Sequence, residues 1–436
     1  MVLKNHQQVS CSEYERSAIA YLRTPTAIRE RCDRIFHLAC ADQLHSFRCN
    51  LTQLEQVANY VIEVIHDEYP DLNIPFHSRW RHFEIGSVPR LAELEQHLAA
   101  LTPVEKAQAK FDLAIISVLL DAGAGNQWQY QEQETGLVFR RSEGLAVASF
   151  RMFCQGAFSS NPERPLQADS EGLQQLTLLQ LAQGFQVSEA NPLVGLEGRL
   201  ELLQRLGRSL VTLPQLFGTD NPRPGNLVNY LLQGLNQELK VESSTQTNLQ
   251  PSTPLAASTV FNAVLEGLGN IWPGRLVLAG VNLGDVWMHP ALEGEYPSDR
   301  YVPFHKLSQW LTYSLLEPLQ ELGVEIIGLD EMTGLAEYRN GGLCLDLGLL
   351  EAKSPHILQK RHLPGSEVIV EWRALTVSLL DRIADTIRQQ LHLSATELPL
   401  VKVLQGGTWT AGRRIAAQLR VGDVPPIQIE SDGTVF

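Results

Sequence analysis

Several short segments of the chain bring acids, bases and aromatic residues together, and the first is HSRWRHFEIG at residues 77–86. Its polar residues lie on a stretch without helical periodicity, which is typical of binding loops. Arg79 and Arg81 suit a phosphate or a sugar, whereas His77, His82 and Glu84 suit a metal ion. A buried, hydrogen-bonded loop is the alternative without a functional role.

Asp121 follows the apolar segment AIISVLL at residues 114–120 and precedes the glycine-rich turn AGAG. A carboxylate at the C-terminal end of a helix opposes the helix dipole, so its position favours a nearby cationic partner. In the later segment RSEG, Ser142 and Glu143 are typical of a helix N-terminus. We therefore expect Asp121 to be paired, and Ser142 to cap a helix that runs from Glu143 to Phe153.

Two further segments lie just before and at the start of one predicted helix. The segment NLGDVWMH at residues 282–289 places Asp285 in a turn from which its carboxylate can reach a substrate, with an ordinary polar turn as the alternative. The segment PFHKLSQWLTY at residues 303–313 places His305 and Lys306 at the beginning of an otherwise apolar helix. Lys306 either extends its ammonium group to solvent or is a desolvated functional cation.

The segment GLAEYRNGG at residues 334–342 places Glu337, Tyr338 and Arg339 between glycines. Glycine allows unusual backbone dihedral angles and a close approach of the backbone to a ligand. The sequence therefore predicts a turn in which the carboxylate of Glu337 faces a substrate.

Glu371 and Arg373 lie inside the apolar run VIVEWRAL at residues 368–375. An acid that is buried among apolar residues needs a partner. Arg339 and Lys306 are the candidates, and a structural ion pair is the alternative to a role in binding.

Helices must position most of these side chains. Apolar residues recur at helical spacing at residues 54–65, and Thr102-Pro103-x-Glu105 is a capping box that opens a helix through Leu120. Further helices are predicted near 171–183, 197–210, 225–235, 258–268, 303–321, 367–391 and 408–419. Strand patterns are confined to residues 275–279, 324–327, 343–346 and 427–430. We predict a mainly α fold with a small β element, in which more than half of the residues are helical.

Residues 241–258, VESSTQTNLQPSTPLAAS, are rich in Ser, Thr, Gln and Pro. They separate an N-terminal helical part, 1–240, from a C-terminal helical part, 259–436, which carries the candidate catalytic residues. This polar segment is either a linker between two domains or a surface loop of one compact domain.

The composition excludes several classes of protein. The 44% of hydrophobic residues is typical of a folded globular protein, and the net charge of −14 argues against a protein that neutralises nucleic-acid phosphates. No segment has the roughly 18 apolar residues of a membrane helix. Residues 1–20 lack the apolar core of a secretion signal, and the six cysteines form no C-x-x-C pair. We expect a cytoplasmic protein with reduced thiols and without a membrane or nucleic-acid partner.

The motifs of common enzyme classes are missing from the sequence. It contains no phosphate-binding loop G-x-x-x-x-G-K-[ST], no G-x-S-x-G nucleophile elbow and no H-E-x-x-H zinc motif. The glycines near residue 125 lack the third glycine of a dinucleotide fingerprint. We therefore predict no cofactor and leave a metal ion open.

Nine segments carry a resemblance to a known family: RWRHFE, VLLDAGAGNQWQY, RSEGLAVAS, GFQVSEANPLVGLEGR, FHKLSQWLTYSLLEPLQ, GLAEYRNGGL, VEWRALTVSLLD, GGTWTAGRRIA and SDGTVF. In these segments, which run almost end to end, the chain resembles the uracil-catabolism protein four family. That family belongs to a pyrimidine-degradation route of fungi and bacteria that proceeds through ribosylurea. Its members are linked to the step that consumes ribosylurea and frees urea, so the resemblance implies a small-molecule substrate, ribosylurea or its phosphate.

A second resemblance covers only the C-terminal half. The segments FHKLSQW, LAEYRNGGL and EVIVEWRAL are similar to stretches of the queuosine-phosphate N-glycosidase family, which is helical. In that family the matching lysine and an acid before Tyr-Arg take part in cleaving an N-glycosidic bond. These positions are Lys306 and Glu337 here, where a glutamate replaces the aspartate of that family.

The two resemblances together imply hydrolysis of the N-glycosidic bond of ribosylurea or its 5′-phosphate. Such cleavage needs a carboxylate near the anomeric carbon and an acid for the leaving group, because its transition state is oxocarbenium-like. We expect Glu337 to stabilise the cation or activate water, Asp285 to protonate the leaving group, and Lys306 to orient Glu337 or contact the sugar. The residues expected to bind the substrate are His77, Arg79, His82, Asp121, His305, Tyr338, Arg339, Glu371 and Arg373.

Two other functions remain compatible with the sequence. One is a metal-dependent amidohydrolase that attacks the urea carbonyl, with His77, His82 and Asp121 as ligands. The other is a ligand sensor without catalytic activity in the same pathway. We expect catalysis without a metal ion, in a pocket where residues 77–86 meet Lys306, Glu337 and Glu371.

Overall fold

The computed structural model describes residues 12–242, 254–272 and 275–430, and 58% of the chain is helical. The mainly α prediction is therefore confirmed. The α-helices are α1 (Glu13–Leu22), α2 (Pro25–Cys40), α3 (Leu54–Glu68), α4 (Arg79–Phe83), α5 (Arg90–His97), α6 (Pro103–Leu119), α7 (Arg141–Cys154), α8 (Ser170–Gln175), α9 (Leu178–Gly184), α10 (Leu196–Thr212), α11 (Pro214–Phe217), α12 (Leu227–Glu242), α13 (Ala257–Leu268), α14 (Lys306–Glu321), α15 (Tyr338–Asp346), α16 (His356–Gln359), α17 (Glu367–Leu391), α18 (Leu400–Val403) and α19 (Trp409–Leu419).

The strands have two or three residues each and pair only as two-stranded sheets within the described ranges. They are β1 (Phe47–Cys49), β2 (Gln129–Gln131), β3 (Val138–Arg140), β4 (Pro254–Ala256), β5 (Val277–Leu278), β6 (Val281–Asn282), β7 (Val286–Met288), β8 (Tyr301–Pro303), β9 (Glu325–Ile327), β10 (Leu350–Ala352), β11 (Arg361–His362) and β12 (Gln428–Ile429). The pairs β1–β10, β2–β3, β5–β6 and β7–β8 are antiparallel, whereas β4–β9 and β11–β12 are parallel.

Local signals in the sequence set several of the helix boundaries. Thr102 accepts a hydrogen bond from the backbone of Glu105, whose side chain returns to Thr102, so the predicted capping box at the start of α6 is confirmed. The helix predicted at 367–391 corresponds to α17. Three of the four strand patterns contain the short strands β5, β9 and β12.

The strand predicted at 343–346 is wrong, because these residues end α15. The glycines of this segment were expected to form a turn. Instead Gly341 and Gly342 are helical, and a Cβ atom at Gly341 would lie 2.7 Å from the indole nitrogen of Trp372. Close packing of α15 against α17 therefore uses glycine for its small size and outweighs its low helix propensity.

The main hydrophobic core contains apolar side chains from Ile28 through Ile427. Helix α6 packs against α14, and α2 and α3 pack against α17, so elements from both sides of the polar segment 241–258 contribute to it. Of that segment, residues 243–253 lie outside the described residues, and residues 254–258 form β4 and the beginning of α13. The division into two parts stays a prediction.

Two further sequence expectations can be compared with the described part of the chain. None of its helices combines the length and the apolar character that crossing a bilayer requires. The five cysteines that lie within it are free thiols, as expected, and Cys11 lies outside it.

Three pieces of the fold position the candidate residues. The β7–β8 hairpin aligns Val286 with Pro303, which brings Asp285 beside the first turn of α14. Helix α4 packs against α6, α7 and α14, and α15 packs against α17 and α19. The N-termini of α14 and α15 and the short helix α4 therefore carry most of the side chains described next.

Candidate active site

Glu337 is the N-cap of α15. Its carboxylate accepts hydrogen bonds from the backbone nitrogens of Arg339 at 2.8 Å and Asn340 at 2.6 Å. Glu337 is partly exposed, yet the surrounding protein desolvates it, and this burial raises its pKa above the ordinary glutamate value. The two backbone bonds and the positive charges of Lys306 and Arg339 oppose the rise without cancelling it.

Lys306 is the first residue of α14 and follows His305, whose backbone is left-handed with φ of 46°. Burial lowers the pKa of the Lys306 ammonium group, and the charge of Glu337 is the strongest opposing influence. Asp121 and Asp285 also raise the pKa, whereas Arg373 lowers it. Lys306 and Glu337 are thus a cation and an anion that influence each other and that the surrounding protein desolvates.

Asp285 also lies beside a helix N-terminus but has strong donors on both of its oxygens. Arg373 binds it through two hydrogen bonds of 2.8 and 2.7 Å, the Trp287 indole donates at 2.7 Å, and the backbone nitrogen of Lys306 donates at 3.0 Å. Burial alone would raise the pKa of Asp285, but these donors hold it well below its usual range. This arrangement disfavours proton donation by Asp285, because its four hydrogen-bond donors stabilise the ionised carboxylate. The catalytic role expected for Asp285 stays a prediction.

Asp121 has the cationic partner that the sequence predicts. Arg79, whose side chain is fully buried, lies 3.1 Å from the Asp121 carboxylate. The Ser142 hydroxyl donates to the same carboxylate and accepts a hydrogen bond from Arg79. Ser142 therefore does not cap α7, which begins one residue earlier at Arg141, and the capping prediction is wrong. Because Asp121 neutralises Arg79, this guanidinium is not a ready phosphate ligand.

Four aromatic rings form a box beside the Arg79–Asp121 pair. His77 and His82 each lie 5.6 to 6.4 Å, centroid to centroid, from both Trp310 and Trp409. Burial lowers the pKa of both histidines to about 4, so they are neutral at physiological pH. The stretch that was expected to be irregular contains the short helix α4, and the side chains on it are buried within the fold.

The box and the Lys306–Glu337 pair lie near each other in the fold, and we refer to them together as the candidate site. Lys306 and Trp310 are one turn apart on the same face of α14. The charge of Asp121 acts on the pKa of Lys306 and also on that of Tyr338, the residue after Glu337. The structure thus brings the segments around residues 77–82, 121, 306 and 337–339 together, although more than 200 residues separate the first from the last.

Glu371 does not join the candidate site. Its carboxylate accepts a hydrogen bond from the backbone nitrogen of Ser46 at 3.1 Å and lies 3.4 Å from His289. The expected pairing of Glu371 with Arg339 or Lys306 is wrong. Residues two apart on a helix point in different directions, so α17 directs Arg373 to Asp285 and Glu371 to the opposite side.

His305 also faces away from Glu337. Its Nε2 lies 2.9 Å from the carbonyl oxygen of Leu22, and its ring contacts Phe261 edge-on. Together with Asp285, Arg23 and Trp272 it lines a pocket of about 570 Å³, the open mouth included. The substrate-binding role expected for His305 stays a prediction.

The amidohydrolase ligand set expected from the sequence does not assemble. Within the described ranges, His77, His82 and Asp121 do not place their ligand atoms together as a metal-binding group. Asp121 is instead occupied by Arg79 and Ser142.

Sequence reasoning missed Trp310, Trp409 and Gln405. A single π-helical turn, Leu404–Thr408, precedes Trp409 and places the amide oxygen of Gln405 3.0 Å from Nδ1 of His77. Turns of this kind are frequent at functional sites. The available signal was the sequence GGTW, because both glycines are needed where the turn packs closely on α3 and the residues that follow it.

Comparisons with known proteins find relatives that match almost the whole chain. Residues 21–436 match the family model described as "Protein of unknown function (DUF1688)". The protein named "Protein urg3" from Schizosaccharomyces pombe (strain 972 / ATCC 24843) is 39% identical over 431 residues, which cover 96% of this chain and 99% of that protein. "Uracil catabolism protein 4" from Lachancea kluyveri is 38% identical over 448 residues, with the same coverage of 96% and 99%. The chain therefore belongs to the DUF1688 family, together with these two proteins.

Proposed function

We propose that this protein hydrolyses the N-glycosidic bond of ribosylurea or its 5′-phosphate, as one step of uracil degradation. The products are urea and ribose, or urea and ribose 5-phosphate. The name of the Lachancea kluyveri relative supports the pathway. The resemblance of the segments around Lys306 and Glu337 to N-glycosidases supports the bond that is cleaved.

The observation that carries the proposal is the opposite shift of two neighbouring pKa values. Burial lowers the pKa of Lys306 and raises that of Glu337. Lys306 is thereby a stronger acid, and Glu337 a stronger base, than either side chain in water. Pairs of groups whose environments shift them toward the working pH are typical of acid–base catalysts.

In the proposed reaction the bond between C1′ and the ureido nitrogen breaks, and its electron pair goes to that nitrogen. The nitrogen takes a proton from the Lys306 ammonium group. A water molecule gives its oxygen to C1′ and one proton to Glu337, whose negative charge also stabilises the oxocarbenium-like transition state. Return of this proton from Glu337 to Lys306 restores both groups, so the cycle consumes only water and substrate.

The aromatic box suits the planar, uncharged leaving group. Neutral histidines and indole rings offer flat apolar faces, and the Trp310 indole nitrogen is buried without a hydrogen-bond partner within the described residues. The Nη2 atom of Arg79 is also buried and has no hydrogen-bond partner among the described residues. Donors of this kind fit a carbonyl oxygen, since buried polar groups are normally satisfied.

Product analysis tests the proposal. Purified full-length protein is incubated with ribosylurea and separately with its 5′-phosphate, and urea, free sugar and ammonia are quantified. The expected result is urea and sugar in equal amounts, with no ammonia. The matched variant Lys306→Met should lose this activity, because it keeps the length of the side chain and removes the proton donor.

Other outcomes of the same experiment support the alternatives. Ammonia and carbon dioxide would indicate amide hydrolysis, which would overturn N-glycosidic cleavage. Binding of ribosylurea without any product, measured by calorimetry on the same preparation, would indicate a sensor.

A further inference from the structure

A second group of ionisable side chains lies on the far side of α17 from Arg373. It consists of His289, which follows β7, and of Glu367 and Glu371, which are one helical turn apart on α17. One ligand atom from each of the three lies within 4.8 Å of the others. The side chains of His289 and Glu371 are completely buried, and Glu367 is partly exposed and closes the group toward solvent. We refer to these three residues as the His289 cluster.

The spacing inside the His289 cluster is poor for a hydrogen bond. His289 Nε2 and Glu371 Oε1 are 3.4 Å apart, and neither has a hydrogen-bond partner among the described residues. A hydrogen bond between such groups is normally about 2.7–2.9 Å long. Buried polar atoms without partners are rare and call for an ion or a water molecule between them.

The same spacing is suitable for a metal ion. Nitrogen and oxygen ligands lie about 2.0–2.1 Å from zinc, and two ligands at a tetrahedral angle are then about 3.3–3.4 Å apart. A set of one imidazole and two carboxylates fits a borderline divalent cation better than the all-oxygen sites that magnesium and calcium prefer.

Neighbouring groups contact each of the three proposed ligands. The backbone nitrogen of Ser46 donates to the second oxygen of Glu371 at 3.1 Å, and the exposed ring of His45 lies 3.0 Å from Glu367. The backbone nitrogen of Ala291 donates to Nδ1 of His289 at 3.2 Å. Metal binding at Nε2 therefore moves the ring proton to Nδ1 and breaks the Ala291 bond, which is a small loss beside a metal–imidazole bond.

We propose that the His289 cluster binds one divalent transition-metal ion, of the zinc class, with water completing its coordination. The ion would join the strand that follows Asp285 to the turn of α17 that precedes Arg373. Its role is structural, because it fixes the two chain segments that hold the Asp285–Arg373 pair and supplies no group to the proposed reaction. The proposal is independent of the substrate and is tested without any activity measurement.

The first experiment measures metal content. Full-length protein without a histidine tag is purified without chelators and analysed by inductively coupled plasma mass spectrometry. After dialysis against a chelator, zinc is titrated back by calorimetry. We expect about one zinc per chain and a rise of the melting temperature when zinc is restored. Chelated wild-type protein that neither binds zinc nor gains thermal stability from it would overturn the proposal.

Two variants test the assignment of residues. His289→Asn keeps an acceptor for the Ala291 nitrogen and removes Nε2, whereas Glu371→Gln keeps an acceptor for the Ser46 nitrogen and removes the charge. Each should weaken zinc binding by at least about tenfold, while the surface variants His356→Asn and Glu63→Gln should not. Equal zinc affinity in all four proteins would overturn the assignment. If either cluster variant does not fold, X-ray absorption of the zinc-loaded wild type decides, since it must report nitrogen and oxygen ligands at about 2.0–2.1 Å.

Discussion

Glu337 and Asp285 both accept a hydrogen bond from the first turn of a helix, and they behave in opposite ways. Each accepts a hydrogen bond from the backbone of its helix, α15 or α14. Asp285 also receives Arg373 and Trp287, and its pKa falls, whereas Glu337 lacks comparable side-chain donors in the described structure, and its pKa rises. A carboxylate that binds the first turn of a helix thus has a lowered pKa in one case and a raised pKa in the other. Under the proposed function, we therefore assign Asp285 a structural role in the site and Glu337 a catalytic role.

The largest expected effect is on stability and concerns Asp285. Asp285→Asn removes the carboxylate to which the buried guanidinium of Arg373 donates two hydrogen bonds. Removing one partner of a buried pair costs about 3–5 kcal/mol, so we expect the free energy of unfolding in urea to fall by about this amount. Glu351→Gln, which breaks the exposed pair with Arg48, is the control and should cost less than about 1 kcal/mol. Equal losses of unfolding free energy in the two variants would show that the Asp285–Arg373 pair stabilises the fold no more than an exposed ion pair does.

The next largest effect is on turnover and concerns Glu337. Glu337→Gln preserves the shape of the N-cap but cannot accept a proton from water. We expect kcat to fall by about a hundredfold or more, which corresponds to roughly 3 kcal/mol in the barrier. Glu337→Asp should retain partial activity, because the resembling N-glycosidases have the shorter acid at this position.

The control for this prediction is another N-cap. Asp169 caps α8 through the backbone nitrogen of Gly172 and is not one of the residues of the candidate site. Asp169→Asn should lower the melting temperature and leave kcat within about threefold of the wild type, the size of effect expected away from the reacting atoms. If Glu337→Gln also stays within that range on ribosylurea and on its 5′-phosphate, Glu337 is not the catalytic carboxylate.

A smaller effect should separate the two carboxylates by pH. The pKa of Asp285 is lowered by folding, so its stabilising contribution is complete above about pH 4 and is lost as the pH falls through the folded-state pKa. The pKa of Glu337 is raised, so its ionisation destabilises the fold as the pH rises from about 4.3 through the folded-state pKa.

Melting temperatures measured from acid to neutral pH should therefore diverge between the two variants. The melting temperature of Asp285→Asn should lie below that of the wild type at neutral pH, and this difference should shrink as the pH falls below about 4. Glu337→Gln should match the wild type in acid and become relatively more stable toward neutral pH. A deficit of Glu337→Gln that grows toward neutral pH would show that its carboxylate also stabilises the fold.

The contrast between the two carboxylates also marks what the sequence could predict. The periodicity of residues 367–391 predicts α17, and the resemblance around Lys306 and Glu337 identifies a pair that the fold brings together. The partner of Asp285 was not predictable, because Arg373 lies 88 residues away and the choice between it and Lys306 depends on how α17 is rotated.

Local patterns were least informative where one residue type serves several purposes. Serine is a typical helix-capping residue, yet the hydroxyl of Ser142 donates a hydrogen bond to Asp121 and accepts one from Arg79. Glycine is typical of turns, yet Gly341 lies in a helix, where a larger side chain would clash with Trp372. In both cases the deciding contact is made by residues distant in sequence, so tertiary packing overrides the local preference.

The smallest effect that we predict concerns Trp310. Its indole nitrogen is buried and has no hydrogen-bond partner within the described residues. The indole nitrogen of Trp80, in contrast, donates to the carbonyl oxygen of Ser314. Trp310→Phe keeps an aromatic face in the box and removes only the donor. If that donor binds the carbonyl of the leaving group, KM for ribosylurea should rise by about tenfold, which corresponds to one hydrogen bond of about 1.4 kcal/mol, and kcat should change little. Trp80→Phe is the matched control: it leaves the Ser314 carbonyl without its donor, so it should lower the melting temperature and leave KM unchanged. An unchanged KM in Trp310→Phe would show that the Trp310 indole nitrogen does not bind the leaving group and that another residue must recognise it.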